Sequence, residues 1–312
     1  MKPYAAPWWL PGGHLQTIYA SLLPPPPVPL ERSRWTTPDG DFIDVDFAGS
    51  RAAPRTLLLF HGLEGSSGSH YARALAAAAT GAGWRIAIAH FRGCSGEPNA
   101  TARAYHSGDI AEVDWIVKRL REDARELSAV GVSLGGNALL RWLGEQGDAA
   151  AAFLRRAAAV SAPLDLPASA RTLDRGLNRL LYTRYFLATL KPKSLAKLER
   201  FPGIYDAARV RAATTFREFD DLVTAPVHGF RDADHYWSTA SSGPWLARVR
   251  VPTLVVNARN DPFLPEAALV AAARDAAPCV TLEFPASGGH AGFPARAGEN
   301  AWLPRRLMEF LA

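Results

Sequence analysis

Ser133 lies in the pentapeptide Gly131-Val132-Ser133-Leu134-Gly135, within the longer stretch AVGVSLGGNALL. Glycines two residues before and two residues after a serine let a strand and a helix meet at a sharp turn, with the hydroxyl projecting from it. A hydroxyl is a weak nucleophile near neutral pH. It needs a base to take its proton, a group that orients the base, and donors for the oxyanion formed on attack. The residues that follow the later apolar runs supply these types. TLVVNAR leads into Asn260-Asp261-Pro262-Phe263, and VTLEFPA leads into Gly288-Gly289-His290-Ala291-Gly292. Ser133 is then the expected nucleophile, His290 its base, and Asp261 the carboxylate that fixes the imidazole tautomer. The expected oxyanion donors are the backbone N–H of Leu134 and that of Leu63, which follows the run TLLLF in His61-Gly62-Leu63. The chemistry of such a set is acyl transfer through an acyl-serine.

Rival residues exist. His90 and His106 are alternative bases, and Asp232 or Asp234 could replace Asp261. Ser95, in Arg92-Gly93-Cys94-Ser95-Gly96, resembles a second elbow but has no helix directly after it. His61 reads as a loop-orienting histidine, and His61, Cys94, Trp8 and Trp9 are candidates for the substrate pocket. There is no HExxH, no His-x-His pair and no carboxylate cluster at ligand spacing, so no metal is expected. No GxGxxG follows the first parallel strand and no GxxxxGK[ST] occurs, so no nucleotide cofactor is expected either.

These residues must be held by a scaffold, and the hydrophobic pattern indicates which. ERSRWTT and DFIDVDF, separated by Pro38-Asp39-Gly40, predict an antiparallel hairpin at a sheet edge. From TLLLF onward, apolar runs alternate with helical stretches. In DIAEVDWIVKRLRED, Ile110, Val113, Ile116, Val117 and Leu120 share one helical face. This is an α/β pattern, implying a mostly parallel twisted sheet with helices on both faces. A helix is expected from about Pro265 to Ala276, and a closing one over AWLPRRLMEFL. Residues 163–248 break the rhythm. They are helical in character and rich in aromatics, too long for a plain connection, and predict a helical cap inserted between two core strands. The first thirty residues, punctuated by proline and ending in PPPPVP, predict an extended arm packed on the core. One domain spanning residues 1–312 accommodates all of this.

Composition narrows the function classes. The chain has 312 residues, 48% of them hydrophobic and 21% charged. That is an ordinary globular balance. The formal net charge of +5 is spread among interleaved acids, as in RLREDARE, and makes no nucleic-acid-binding patch. Cys94 and Cys279 have no CxxC spacing, which fits a reducing compartment without disulfides. No run approaches the roughly 20 apolar residues of a membrane span. Prolines 3, 7 and 11 break any signal-peptide core. The expectation is a cytoplasmic protein without an integral membrane segment, acting on a small molecule, and monomeric in the simplest case.

Several longer stretches carry a resemblance. PWWLPGGHLQTIYASLL, FHGLEGSSGSHYARAL, HFRGCSGEPN, YHSGD, GVSLGGNALLRWLGE, REFDDLVTAPVHGF, NARNDPFLP and GGHAGF together resemble the YheT-like branch of the α/β-hydrolase superfamily. The resemblance spreads from Pro7 to the C-terminus and is weakest between Ala168 and Leu198. It implies an α/β-hydrolase fold and a serine esterase cleaving carboxylic esters, with Ser133, Asp261 and His290 at the positions of the family's triad. Short- to medium-chain acyl esters are the expected substrates. Transfer of the acyl group to an alcohol, making an ester synthase, is the alternative, and a non-catalytic binding module on the same fold is the third.

Overall fold

A computed structural model of the protein describes residues 3–24, 26–295 and 302–312. The first two residues of the expected arm, its position 25, and position 301, the expected first residue of the closing helix, lie outside the described residues.

Eight strands form one twisted sheet: β1 (Glu31–Thr36), β2 (Phe42–Ala48), β3 (Arg55–Phe60), β4 (Arg85–Ala89), β5 (Glu126–Val132), β6 (Ala157–Val160), β7 (Thr253–Val256) and β8 (Val280–Glu283). Their spatial order is β1-β2-β4-β3-β5-β6-β7-β8. β1 and β2 form the antiparallel hairpin expected from Pro38-Asp39-Gly40, with Gly40 at φ 75°. β2 also runs antiparallel to β4, and every later pairing is parallel. After β3 the chain steps outward to β4, then crosses back to place β5 on the other side of β3. This reversal opens a crevice at the C-terminal ends of β3 and β5, where loops from both strands converge.

Alternation along the strands builds one core on each face. Leu58, Phe60 and Ala129 pack with α3 (Ile110–Asp123) and α4 (Leu134–Gln146), around a fully buried Trp142. Leu57, Leu59, Val130 and Val132 pack against α2 (His70–Gly81) and the C-terminal α13 (Trp302–Leu311). On α3 the expected face is the buried one: Val113, Ile116, Val117 and Leu120 are inside and Ile110 is partly so. Asp109 caps that helix by accepting from Glu112 N–H. The expected 265–276 helix is shorter, α12 (Glu266–Ala273).

Two segments matter most for the crevice. The N-terminal stretch is not extended throughout, because Gly13–Leu22 contains no proline and forms helix α1. Between β6 and β7 the chain forms only helices and turns: α5 (Leu166–Leu173), α6 (Gly176–Asn178), α7 (Arg184–Arg200), α8 (Ala207–Ala212), α9 (Phe216–Phe219), α10 (Ala225–His228) and α11 (Ala233–Ala240). Residues 179–183 join α6 to α7, and residues 220–224 join α9 to α10, each as one π-helical turn in a continuous helix.

Candidate active site

Ser133 stands between the last residue of β5 and the first of α4 with φ 53° and ψ −118°. Side chains beyond glycine rarely adopt that backbone conformation. The flanking glycines make the turn sterically possible. A Cβ on Gly135 would lie 2.5 Å from the carbonyl oxygens of Phe60 and His61, and one on Gly131 would collide with Gly135. The strained residue is held by hydrogen bonds on both sides. Ser133 N–H donates to Val160 C=O (2.8 Å), and Asn137 N–H donates to Ser133 C=O (3.0 Å).

His290 lies beside it. Its Nδ1 is 2.8 Å from Asp261 Oδ2 and its Nε2 is 2.9 Å from Ser133 Oγ. A carboxylate can only accept, so Nδ1 carries the proton, and Ser133 Oγ–H donates to the free lone pair of Nε2. The Asp261 side chain is fully buried, and its other oxygen accepts the Phe263 N–H at 2.8 Å. The Phe263 ring stacks on the imidazole, with centroids 4.0 Å apart. The carboxylate is therefore shielded from solvent, and the imidazole is held at both nitrogens and stacked on one face.

The residues that fix this geometry were missed in the sequence. Helix α1 spans the gap between the Asp261 and His290 loops. Gln16 Oε1 accepts from Asn260 Nδ2 (3.0 Å) and from Gly288 N–H (2.8 Å), while Asn260 Oδ1 accepts from Gly289 N–H (3.1 Å). Thr17 Oγ1 accepts the N–H of His290 itself at 2.8 Å. The approach is so close that a Cβ on Gly289 would lie 2.8 Å from Thr17 N, and one on Gly13 would overlap Asn260. The only sequence signal was a polar pair inside GGHLQT, which in a helix reads as solvent-facing.

The loop after β3 is fixed with equal care. His61 is wholly buried; its Nδ1–H donates to Gly62 C=O (2.8 Å), and its Nε2 accepts Phe91 N–H (3.0 Å). Tyr71 Oη accepts the Gly62 N–H (2.8 Å), and Tyr105 Oη accepts the Glu64 N–H (2.8 Å). Leu63, between these anchored neighbours, and Leu134, first residue of α4, both line the cavity next to Ser133. The first N–H groups of a helix have no partner within it, so the Leu134 donor is open to a ligand.

That cavity has a volume of about 740 Å³. Ser133 and His290 form part of its wall, and the helical segment between β6 and β7 contributes Leu166, Leu173, Phe186, Leu190, Phe216 and Trp237. Cys94 lines it, with burial pushing its thiol up to about 12. It is therefore a filler and no thiolate at neutral pH. Three other pocket expectations need correction. His61 is spent on the loop bonds just described. Trp9 packs edge-on against Tyr19 of α1, and Trp8 is 91% exposed; neither reaches the cavity.

The rivals have structural partners. His90 Nε2 bonds Asp46 (2.8 Å), beneath the hairpin. His106 does line the cavity, but it packs against His228 and its Nδ1 accepts the Gly108 N–H. Asp232 caps α11 through the His235 N–H, and Asp234 pairs with Arg217. Ser95 offers its carbonyl to Arg32. Among the described residues no group of three or more His, Cys, Asp or Glu side chains could hold a metal.

A family model described as the alpha/beta hydrolase fold matches residues 55–296. The chain belongs to that family. Escherichia coli YheT, named as a candidate esterase, is 38% identical over 89% of this chain and 83% of its own. Mouse phospholipase ABHD3 is 31% identical over 86% of this chain and 67% of its own. An esterase of Pyrococcus furiosus superposes with a TM-score of 0.59 at 14% identity, covering 91% of this chain and 92% of the other, a likeness of fold. Esterases and phospholipases among the relatives support a hydrolase. No helix among the described residues is long and apolar enough to cross a membrane.

The buried His61 gives this region a pH signature. Burial pushes its pKa down from the ordinary 6.5 to about 3. The unfolded chain takes up the proton near the ordinary value and the folded chain does not, so acid favours unfolding between these values. Stability is expected to fall as the pH drops below about 6.5, with His61 accounting for about 2 kcal/mol of the loss at about pH 5. His106, lowered to about 4, and His228, lowered to about 3, act in the same direction. Urea midpoints at the two pH values check this: His61→Gln, which can keep both hydrogen bonds, should lose less between them than the wild type. An equal loss would contradict it.

Proposed function

We propose that the protein is a serine hydrolase that cleaves carboxylic esters of short to medium acyl chain, with Ser133, His290 and Asp261 as its catalytic groups. The observation that carries this reading is the continuous chain Ser133 Oγ, His290 Nε2, His290 Nδ1, Asp261 Oδ2, with links of 2.9 and 2.8 Å, opening on an apolar cavity.

The geometry suits each step. Ser133 Oγ attacks the ester carbonyl while His290 Nε2 takes its proton, and the Asp261 carboxylate stabilises the imidazolium without becoming protonated. The carbonyl oxygen, now negative, is met by the N–H groups of Leu63 and Leu134, the latter aided by the positive end of the α4 dipole. His290 returns the proton to the departing alcohol, leaving an acyl-serine. A water deprotonated by the same imidazole then releases the acid.

The cavity supports this substrate class. Its volume of about 740 Å³ comes with cap-side leucines and phenylalanines in the wall. That size suits a small or medium ligand, and that lining favours an uncharged acyl chain. The names of relatives agree with ester chemistry, including a yeast medium-chain fatty acid ethyl ester synthase/esterase that is 29% identical.

Hydrolysis of p-nitrophenyl esters of increasing acyl length tests the proposal. The rate should peak within the short-to-medium range, and Ser133→Ala should lower kcat by several orders of magnitude with no loss of fold. Full activity in that variant would assign the nucleophile elsewhere. A second outcome concerns the brace from α1. Thr17→Val, which removes the acceptor for the His290 N–H, should reduce kcat about tenfold or more with little change in KM, and Thr17→Ser should recover most of it. Equal effects of the two variants would show that the hydroxyl does not position the imidazole.

A further inference from the structure

The helical run from Gly176 through residues 179–183 into α7 is apolar on two sides. Its inner side gives Phe186 and Leu190 to the cavity. Its outer side gives Leu177, Leu180, Leu181 and Tyr185, which are 54%, 65%, 40% and 66% exposed. Leu177, Leu181 and Tyr185 recur at four residues through the wider π turn of residues 179–183, and Leu180 adjoins Leu181, so the four form one exposed apolar cluster on this run. A helix that is apolar on both sides is ordinarily buried. Here four large apolar side chains from a single helical run stand in solvent, the signature of a contact surface.

The charges on the same surface indicate what is contacted. Arg175, Arg179 and Arg184 are exposed and interleaved with the leucines. Among the described residues none of the three is within ion-pairing distance of a carboxylate, and Arg179 reaches only the Thr214 hydroxyl. Asp174, the one acid close by in sequence, spends both carboxylate oxygens on the backbone N–H groups of Phe216 and Arg217 and reaches Arg179 only through its longer-range field. From residue 175 to residue 191 the sequence RGLNRLLYTRYFLATLK holds four cations and no acid. Beside this run lies α1, joined to it by the His14 Nδ1 and Tyr182 Oη pair at 3.0 Å, and α1 also exposes Leu15 and Leu22.

We propose that this face, centred on Leu177, Leu180, Leu181 and Tyr185 and rimmed by Arg175, Arg179 and Arg184, binds the surface of an anionic lipid bilayer. Leucines and a tyrosine enter the headgroup boundary while the guanidinium groups meet lipid phosphates, the arrangement of a helix lying in the interface plane. A second copy of the chain fits the face poorly, because a two-fold contact would bring the same arginines together with no carboxylate between them. The placement also has a use. The helix that touches lipid on one side walls the cavity on the other, so an apolar ester dissolved in the bilayer has a short route to Ser133.

The test is flotation of the full chain with vesicles of phosphatidylcholine alone and with vesicles also containing phosphatidylglycerol. The protein should float with the anionic vesicles and much less with the neutral ones, and release should follow added salt. Arg179→Gln and Arg184→Gln should each weaken binding about fivefold. A Leu177→Ser, Leu180→Ser, Leu181→Ser variant should abolish it. Hydrolysis of a water-soluble p-nitrophenyl ester should stay unchanged in all of them, which reports an intact fold and site independently of lipid. Failure of the wild type to float, equal flotation with both vesicle types, or flotation indifferent to these substitutions would overturn the proposal. So would a dimer in light scattering that the leucine variant dissolves while vesicle binding is absent.

Discussion

The site depends on one backbone conformation, that of Ser133. A left-handed serine between β5 and α4 points its hydroxyl out of the turn, but that conformation costs energy and survives only where the surroundings leave no alternative. Gly131 and Gly135 let strand and helix close to a distance that any Cβ would block, and the Val160 carbonyl holds the Ser133 N–H from the neighbouring strand. Once the turn is set, the start of α4 is fixed, and with it the Leu134 N–H. The crossover at β3 brings the His61–Leu63 loop to the same point. Much of what surrounds the cavity serves to keep that turn closed and its neighbours in register.

The imidazole is fixed from a different direction. Asp261 and His290 follow β7 and β8, and these two loops are bridged by residues more than 240 positions away in the chain, Gln16 and Thr17 of α1. The bridge is a set of neutral hydrogen bonds, so it adds rigidity without adding charge beside the imidazole. In the role proposed for His290, passing a proton between serine and substrate, such rigidity counts, since a displacement of about 1 Å is enough to cost orders of magnitude in rate.

Sequence and structure agree where local physics decides. Ser133, Asp261 and His290 were visible because each directly follows an apolar run, and runs buried in a parallel sheet end on a common edge. The α3 face followed from a clean helical period. What escaped was tertiary. The Gln16 and Thr17 side chains bond loops that no local pattern connects to α1. His61, read as a loop-orienting histidine, does that work from complete burial, through a neighbour's carbonyl and the Phe91 N–H. In the cap the aromatic composition was plain, but residues 179–183 and 220–224 form π turns. Each inserts an extra residue into the helical repeat, so a period of 3.6 assigns the wrong face beyond it. Trp8 and Trp9 looked like pocket residues by type alone; their chain segment runs outside α1, where Trp9 finds Tyr19.

The central claim is that this arrangement makes Ser133 the nucleophile and His290 its base. Its most direct test is reaction of the wild-type protein with a fluorophosphonate, followed by mapping of the adduct by mass spectrometry. The account predicts one adduct, on Ser133. An adduct on another residue, such as Ser95, or a folded protein that takes none, would contradict it.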